Sequence, residues 1–151
     1  MKLPHKLKAF IIKFANVNGS GSASANKLFV KSVFRMGIPV SPNNIFPSNI
    51  QGLPTWYEVR ISDAGYLGRR EGIDFMVAMN EQTVNKDIAS VVPGGYVLYD
   101  SSKALSADLI RDDVQYLGIP LKDICLREFD NPAQRQLFKN IVYVGALSAF
   151  L

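Results

Sequence analysis

The chain has 151 residues, enough for one domain of ordinary size with a single buried core. Its 48% hydrophobic and 20% charged residues are typical of a folded α/β protein and argue against disorder. A formal net charge of +4 fits a phosphorylated ligand but is too small to indicate nucleic-acid binding.

The single cysteine and the single histidine narrow the chemistry further. Cys125 by itself cannot form an internal disulfide, an iron–sulfur cluster or a cysteine zinc site, and its apolar neighbours indicate a buried, unreactive thiol. His5 falls in a basic segment, so it is a poor base for a Ser–His or Cys–His pair. We predict a basic N-terminal tail over residues 1–8, followed by one domain over residues 9–151.

The longest mostly apolar run, residues 141–151, is far below the roughly 20 residues that a membrane-spanning helix needs. The chain does not open on a signal peptide either. We therefore predict a cytoplasmic protein without a membrane partner.

The first predicted element is a buried strand over residues 9–17, because this segment is short, apolar and rich in branched side chains. After a glycine-containing turn, apolar residues recur at the spacing of an amphipathic helix, and Gly37 is placed to end it. The predicted buried stripe of this helix is Ala25, Leu28, Phe29, Ser32, Val33 and Met36.

Another face of the same helix carries Lys27, Lys31 and Arg35 at intervals of four residues. We interpret this basic ridge as a solvent-exposed surface. Contact with an acidic partner is the alternative.

The middle of the chain predicts two strands around a long loop. Residues 37–41 form a weak strand, and residues 42–54 form a proline-rich loop of the kind that is usually functional or interfacial. Residues 55–62 alternate between apolar and polar side chains, which indicates an edge or antiparallel strand.

Further buried strands are predicted over residues 73–79, 96–100 and 119–126, with a turn at residues 93–95. Asn80 follows the first of these strands and is placed to cap a helix.

Asn131 and Pro132 form the cap-plus-proline start of a last helix, which runs into the apolar residues 141–151. A helix that is apolar on nearly every face needs cover on all sides. We therefore expect the chain to be the first part of a longer polypeptide or a tightly packed subunit. The alternation of strands and helices predicts an α/β fold, a three-layer Rossmann-like sandwich with a mostly parallel, mixed sheet.

The turn after the first strand lies where α/β proteins bind anions, because backbone N–H groups and a helix dipole meet there. Gly19, Gly21 and Ser24 partly match the G-x-G-x-x-G/A fingerprint of dinucleotide sites. The acidic residue expected about 20 positions further on is missing, and so is a P-loop lysine, which disfavours both classical nucleotide sites. Close helix–sheet packing and anion binding remain equal alternatives for these glycines.

Ligands of open α/β sheets bind beyond the carboxyl ends of the strands. In this sequence those ends are residues 16–22, residues 41–54, Asn80 and residues 100–102. They carry small and amide side chains, and Asp100, the one carboxylate, is interpreted as a turn cap. The pattern predicts a binding surface that lacks an acid–base or metal set.

Five segments in this order resemble one family. They are FANVNGSGSASANKLFVKSVFRMGIPV (14–40), FPSNIQGLPTWYEVRIS (46–62), DFMVAMNEQT (74–83), PGGYVLYDSS (93–102) and NIVYVGAL (140–147). The chain resembles the gamma domain of the 2-oxoacid:acceptor (pyruvate or 2-oxoglutarate:ferredoxin) oxidoreductases, and most closely the form fused at the N-terminus of the alpha subunit.

The resemblance implies an enzyme that oxidatively decarboxylates a 2-oxoacid, with 2-oxoglutarate favoured, and forms an acyl-CoA. Such an enzyme uses thiamine diphosphate and Mg²⁺ and passes electrons through iron–sulfur clusters to ferredoxin. The implied partners are the domains or subunits that hold these cofactors, with ferredoxin reached indirectly. The gamma domain itself helps to bind coenzyme A and packs against the catalytic domains, so this chain alone should be inactive.

The resemblance also implies a coenzyme A contact surface of small and amide residues, with no catalytic or metal-binding residue. The implied residues are Gly19, Ser20, Gly21, Ser22, Ser48, Asn49, Gln51, Gly52, Asn80, Ser101 and Ser102. Two other functions stay open: a stand-alone nucleotide- or anion-binding module, and a purely structural assembly domain.

Overall fold

The computed structural model describes residues 9–66, 68 and 70–151, so the predicted basic tail with His5 lies outside the described residues. The described strands are β1 (Ala9–Val17), β2 (Val40–Ile45), β3 (Pro54–Ser62), β4 (Ile73–Ala78), β5 (Val91–Asp100) and β6 (Gln115–Ile119). The helices are α1 (Ser22–Arg35), α2 (Val84–Ala89), α3 (Leu121–Glu128) and α4 (Pro132–Phe150), with a 3-10 turn at Ala107–Leu109.

The six strands form one mixed sheet in the order β2-β3-β1-β4-β5-β6. The pairs β1–β4, β4–β5 and β5–β6 are parallel, whereas β3 runs antiparallel to both of its neighbours, β2 and β1. Five strands therefore end at the same edge of the sheet, and β3 begins there. We call it the carboxyl edge. This topology confirms the predicted α/β fold with a mostly parallel sheet and identifies residues 55–62 as an antiparallel strand.

Hydrophobic clusters on both faces of the sheet make the fold three layers deep. On one face, Phe14 of β1 meets Phe29 of α1 and Tyr143 of α4, with ring centroids 5.7 and 6.1 Å away. On the other face, Ile88 of α2 packs in a second cluster with Val97 of β5. Burial of large aromatic side chains supplies much of the hydrophobic stabilisation in such cores.

Helix α1 has the predicted position, but its buried face is rotated from the predicted stripe. Leu28 and Met36 are 50% and 73% exposed. The buried residues of α1 are Ser22, Ala25, Asn26, Phe29, Val30 and Val33. The apolar pattern missed Asn26, because hydrogen bonds rather than hydrophobicity allow an amide to be buried. The basic ridge of Lys27, Lys31 and Arg35 is exposed, as predicted.

Gly37 ends α1 as predicted, with a φ of 78° and its N–H donating to the Phe34 carbonyl at 3.0 Å. Strand β2 begins later than the predicted strand at 37–41, so the loop before β3 shrinks to residues 46–53. The polar residues of β2 have no strand-like pattern of their own, and pairing with β3 holds them extended.

Asn80 does not cap a helix, contrary to the prediction. Helix α2 begins at Val84 with Thr83 at its N-cap position, and the Asn80 Oδ1 accepts a hydrogen bond from the Gln82 N–H at 2.9 Å. The asparagine therefore stabilises a turn, which is an alternative use of the same short polar side chain.

Two other predictions in the second half were wrong. Residues 93–95 are not a turn but part of β5, where Gly94 adopts a φ of 80° and the register with β4 shifts. Residues 119–126 are mostly helix α3, with Leu121 and Cys125 buried at a helical spacing of four. A short apolar run does not distinguish a strand from a helix.

Helix α4 starts as predicted, with the Asn131 Oδ1 accepting the Ala133 N–H at 2.8 Å and Pro132 in the first turn. Its outer face is partly uncovered, since Leu137 and Ile141 are 47% and 41% exposed. Within the described residues, no helix combines the length and apolarity needed to cross a bilayer.

A closed ring of buried hydrogen bonds joins β1, α1 and α4. The Asn16 Nδ2 donates to the Tyr143 hydroxyl (3.4 Å), this hydroxyl donates to the Asn26 Oδ1 (2.8 Å), and the Asn26 Nδ2 donates to the Asn16 Oδ1 (3.1 Å). Burial raises the pKa of the Tyr143 phenol, so it keeps the proton that it donates. We call these three side chains the amide–phenol ring.

A buried carboxylate on the opposite face ties α2 to the sheet. The Asp87 Oδ1 accepts a hydrogen bond from the Trp56 indole N–H at 2.8 Å, and its Oδ2 accepts one from the Thr83 hydroxyl at 2.6 Å. Burial raises the pKa of Asp87 above its usual range, although both hydrogen bonds act in the opposite direction.

Removing the phenol from the amide–phenol ring should destabilise the fold. Tyr143→Phe leaves the Asn26 Oδ1 without this donor in a buried site, and the expected loss of unfolding free energy is about 1–3 kcal/mol. The measurement is urea-induced unfolding followed by circular dichroism. Tyr57→Phe is the control, because Tyr57 also contacts Phe14 and its hydroxyl forms no hydrogen bond to the described residues. Equal losses in the two variants would contradict the prediction.

The raised pKa of Asp87 predicts a pH-dependent stability. The folded chain binds this proton more tightly than the unfolded chain, so its contribution to stability falls as pH rises from the usual aspartate pKa through the raised value. Asp87→Asn should flatten this part of the profile of unfolding free energy against pH. Asp112→Asn, at an exposed carboxylate, controls for the lost charge. An unchanged profile in Asp87→Asn would show that this carboxyl does not contribute.

Candidate functional site

Residues 18–22, which we call the glycine turn, connect β1 to α1 at the carboxyl edge of the sheet. Gly19 and Gly21 have φ angles of 82° and 79°, in the left-handed region that favours glycine. The Ser20 N–H donates to the Val17 carbonyl at 3.2 Å and closes the first part of the turn. The backbone conformation of the turn therefore favours glycine at positions 19 and 21, whatever the side-chain contacts.

The 46–53 loop lies directly against the glycine turn. The Asn18 N–H donates to the Leu53 carbonyl (2.8 Å), the Gly52 N–H donates to the Asn18 carbonyl (3.0 Å), and the Asn18 side-chain amide donates to the Ile50 carbonyl (3.1 Å). The structure thus brings together two segments that the sequence resemblance assigned to one ligand surface.

Both glycines of the turn also pack closely against other side chains. A Cβ on Gly19 would lie 2.7 Å from the Gln51 Cγ, and a Cβ on Gly21 would lie 3.3 Å from the Leu137 Cδ1 of α4. Close packing is therefore one function of these glycines, although the neighbours are the 46–53 loop and α4 rather than the predicted helix–sheet interface.

The start of α1 has free donors. No side chain caps this helix and no acidic residue lies in its first turn. The hydrogen bonds of the described residues include none from the backbone N–H groups of Ser22 and Ala23. The Ser20 Oγ is buried and has no hydrogen-bond partner among the described residues. Unpaired N–H groups at the positive end of a helix dipole suit an anionic group.

The other predicted site residues fall into two groups. Asn80 and the residues of the 46–53 loop lie near the glycine turn, whereas Ser101 and Ser102 contact other elements. Asn80 lies beneath the glycine turn, where its side-chain amide donates to the Asn16 carbonyl at 2.9 Å. In the 46–53 loop, the Ser48 Oγ accepts the Ile50 N–H at 3.2 Å and Asn49 is exposed.

Ser101 and Ser102 lie at the same edge but contact β6 and α3. The Ser101 N–H donates to the Ile119 carbonyl at 2.9 Å, and the Ser102 Oγ accepts the Asp123 N–H at 3.1 Å. The structure shows no hydrogen bond between these serines and the glycine turn within the described residues.

Asp100 caps the turn after β5, as predicted, and also binds two helices. Its Oδ1 accepts the N–H groups of Ser102 (3.2 Å) and Lys122 (3.3 Å), and its Oδ2 pairs with the Lys139 ammonium at 2.7 Å. Partial burial opposes ionisation, but Lys139 and these donors hold the pKa of Asp100 below its usual range. The carboxylate is therefore ionised and structural.

The described residues do not provide a set of side-chain ligands for a metal ion or an iron–sulfur cluster. They contain no group of three or more His, Cys, Asp and Glu side chains that could hold a metal ion. Cys125 is buried in α3, and burial raises the pKa of its thiol, so the thiolate needed for ligation is disfavoured.

Buried polar residues that were not predicted from the sequence support the glycine turn from below. Asn140 of α4 donates a hydrogen bond from its side-chain amide to the Ser20 carbonyl at 2.8 Å, and the amide–phenol ring lies deeper. The available signal was weak: an asparagine ahead of an apolar helical run. Its partner lies 120 residues earlier in the chain, which no local pattern reveals.

The sequence model of the family described as pyruvate ferredoxin/flavodoxin oxidoreductase matches residues 11–151. The chain belongs to this family. A curated relative, subunit alpha of 2-oxoacid:ferredoxin oxidoreductase 2 from Aeropyrum pernix, is 26% identical over 125 residues. That match covers 82% of this chain but 19% of the relative, so the chain spans about a fifth of the relative's length.

Solved structures of family members share the fold. The 2-oxoglutarate:ferredoxin oxidoreductase from Magnetococcus marinus, with 2-oxoglutarate, coenzyme A and succinyl-CoA bound, matches with a TM-score of 0.82 and 26% identity, over 95% of this chain and 24% of that one. A pyruvate oxidoreductase subunit from Thermotoga maritima matches with a TM-score of 0.70 and 21% identity, over 93% of this chain and 75% of that one.

A keto/oxoacid ferredoxin oxidoreductase gamma subunit from Geobacter sulfurreducens matches with a TM-score of 0.70 and 23% identity, over 93% of this chain and 76% of that one. At these identities the last two matches show the fold alone. The match of the family model to residues 11–151 confirms the predicted resemblance to this oxidoreductase family.

Replacing Gly19 should destabilise the fold for two separable reasons. Gly19→Ala forces a Cβ into left-handed backbone, at a cost of roughly 1–2 kcal/mol, and also places it against Gln51. Gly37→Ala isolates the backbone term, because its φ is similar and no atom lies within 4 Å of the added Cβ. We expect a larger loss of unfolding free energy for Gly19→Ala in urea. Adding Gln51→Ala should remove the excess, and an excess that persists would show that Gln51 is not its cause.

Proposed function

We propose that this chain is the gamma-type domain of a 2-oxoacid:ferredoxin oxidoreductase and that its glycine turn contributes to the binding of coenzyme A. The parent enzyme would oxidatively decarboxylate a 2-oxoacid to an acyl-CoA, and 2-oxoglutarate is the favoured substrate. The observation that carries this proposal is the uncapped start of α1, with the buried, unpartnered Ser20 hydroxyl beside it.

The chemistry of coenzyme A fits this arrangement. Its diphosphate and 3′-phosphate are anionic, and a helix start that offers free N–H groups without a competing carboxylate binds such groups. The 46–53 loop borders the glycine turn and brings the exposed side chains of Ile50 and Gln51 to its rim. A rim of this kind suits the less charged parts of the same ligand.

The relatives support the reaction class and the ligand. The Magnetococcus marinus structure is described with 2-oxoglutarate, coenzyme A and succinyl-CoA bound, and it matches nearly all of this chain. In the proposed reaction the carboxylate of the 2-oxoacid would leave as CO₂, the remaining acyl group would pass to the sulfur of coenzyme A with release of the thiol proton, and two electrons would leave for ferredoxin. Thiamine diphosphate with Mg²⁺ and iron–sulfur clusters supply the decarboxylation and electron-transfer chemistry.

We assign those cofactors to partner domains or subunits of the complex. For the iron–sulfur clusters, this agrees with the described residues, which contain one buried cysteine and no group of three or more metal-ligating side chains. The part of this chain is to bind and orient coenzyme A and to pack against the catalytic domains. Ferredoxin would be reached through those partners.

A purely structural assembly domain is the second candidate. The contacts of Gly19 with Gln51 and of Gly21 with Leu137 favour it, since they account for both glycines without a ligand. A stand-alone nucleotide-binding module is less well supported, because the end of β2 offers Asn43 and Asn44 in place of a ribose-binding acid.

Gly21→Val should weaken coenzyme A binding by the assembled oxidoreductase. The substitution strains the left-handed backbone at the start of α1 and displaces the donors that would contact phosphate. We expect calorimetric titration to show an affinity loss of about tenfold or more, equivalent to one or two hydrogen bonds to a charged group.

The matched control is Gly37→Val, at the opposite end of the same helix. It has a similar φ of 78° and should suffer the same backbone strain without affecting the glycine turn. Unchanged coenzyme A affinity in Gly21→Val, with the complex intact, would favour the structural assembly function.

A further inference from the structure

We propose that Asn140 is a positioning residue for the coenzyme A site, because it fixes the direction in which the Ser20–Gly21 peptide faces. This inference rests on the proposed function, since it concerns how the glycine turn presents its N–H groups. Asn140 lies on the inner face of α4 and is 3% exposed, so no substrate contact is assigned to it.

Asn140 forms a short hydrogen bond to the backbone of the glycine turn. The Asn140 Nδ2 donates to the Ser20 carbonyl at 2.8 Å and, less closely, to the Gln136 carbonyl of its own helix at 3.3 Å. The carbonyl of Ser20 is therefore directed towards α4. A neutral amide donor in a buried position makes this a bond that water does not readily replace.

The direction of the Gly21 N–H follows from the geometry of the peptide unit. A trans peptide is planar, and its C=O and N–H point in opposite directions. Because the Ser20 carbonyl faces α4, the Gly21 N–H points away from α4. This N–H has no acceptor among the described residues and immediately precedes the free donors of α1.

The conformational freedom of glycine would allow the Ser20–Gly21 peptide to turn over. Gly21 has no Cβ, so positive and negative φ values are of similar energy, and the Ser20–Gly21 peptide can flip at little cost. In the flipped state a carbonyl oxygen, rather than an N–H, would face the proposed phosphate and repel it. The φ of 79° at Gly21 is the unflipped state, and Asn140 selects it.

The position of Asn140 is in turn fixed by its neighbours on α4. Lys139 pairs with Asp100 at 2.7 Å, and Tyr143, one turn further along, belongs to the amide–phenol ring. The hydrogen-bond donor for Ser20 is therefore placed by contacts to β5, β1 and α1. A rigid support of this kind is what a positioning residue requires.

The test is steady-state kinetics of the assembled oxidoreductase carrying Asn140→Leu, a variant of similar size without a donor. We expect the KM for coenzyme A to rise about tenfold, equivalent to the loss of one buried hydrogen bond. The KM for the 2-oxoacid and the kcat at saturating coenzyme A should stay within about twofold, because the lost bond serves only ligand binding.

Two further variants keep the test decisive. Ser148→Ala removes another side-chain to backbone bond of α4, from the Ser148 Oγ to the Val144 carbonyl, and should leave the KM for coenzyme A unchanged. If Asn140→Leu does not assemble, Asn140→Ser replaces it, because its hydroxyl is too short to reach Ser20.

The outcomes separate this inference from the proposed function. If Gly21→Val raises the KM for coenzyme A and the Asn140 variants do not, the positioning role is wrong and the proposed function stands. If neither changes it, the proposed function fails, and the positioning role with it. A fall in melting temperature with equal changes in both KM values would also overturn the inference, since it indicates a general structural role.

Discussion

The amide–phenol ring of Asn16, Asn26 and Tyr143 is the interaction on which the carboxyl edge depends. Each side chain in the ring both donates and accepts, so three buried polar groups satisfy one another. Because the three side chains come from β1, α1 and α4, the ring links the positions of these elements. Buried polar networks that are fully satisfied often specify a core in this way.

The consequence of that constraint is that the proposed ligand surface is supported from a distance. The glycine turn carries the unpaired N–H groups, α4 holds its Ser20 carbonyl, and Asn80, two residues after β4, donates to the Asn16 carbonyl of β1. The geometry of the proposed site is thus set by buried residues beneath the turn as well as by the turn itself. The family relationship agrees with this division, since the chain matches a domain that occurs within larger oxidoreductase subunits.

The sequence predicted the parts of the fold that depend on local pattern. The strand at 9–17, the capped start of α4 and the alternating strand at 55–62 each follow from residue periodicity or capping chemistry. The errors lie where tertiary contacts override the local pattern. Pairing with β3 holds the polar residues of β2 in a strand. Strand β5 continues past Gly94, with a shift in its register against β4. Likewise, local pattern predicted the turn as a candidate ligand site, whereas its support by Asn140 depends on a contact across most of the chain.

The antiparallel direction of β3 affects how the carboxyl edge of the sheet can change during evolution. Because β2 and β3 are antiparallel neighbours, the 46–53 loop is the connection of a β-hairpin, and it opens onto the carboxyl edge. Its ends are fixed by the strand ladder and by Asn18, while its middle is exposed. Hairpin connections tolerate insertions and substitutions far better than the strands they join. If the proposed site binds a ligand, its preference can therefore evolve by altering one short connection, without repacking the core that places it.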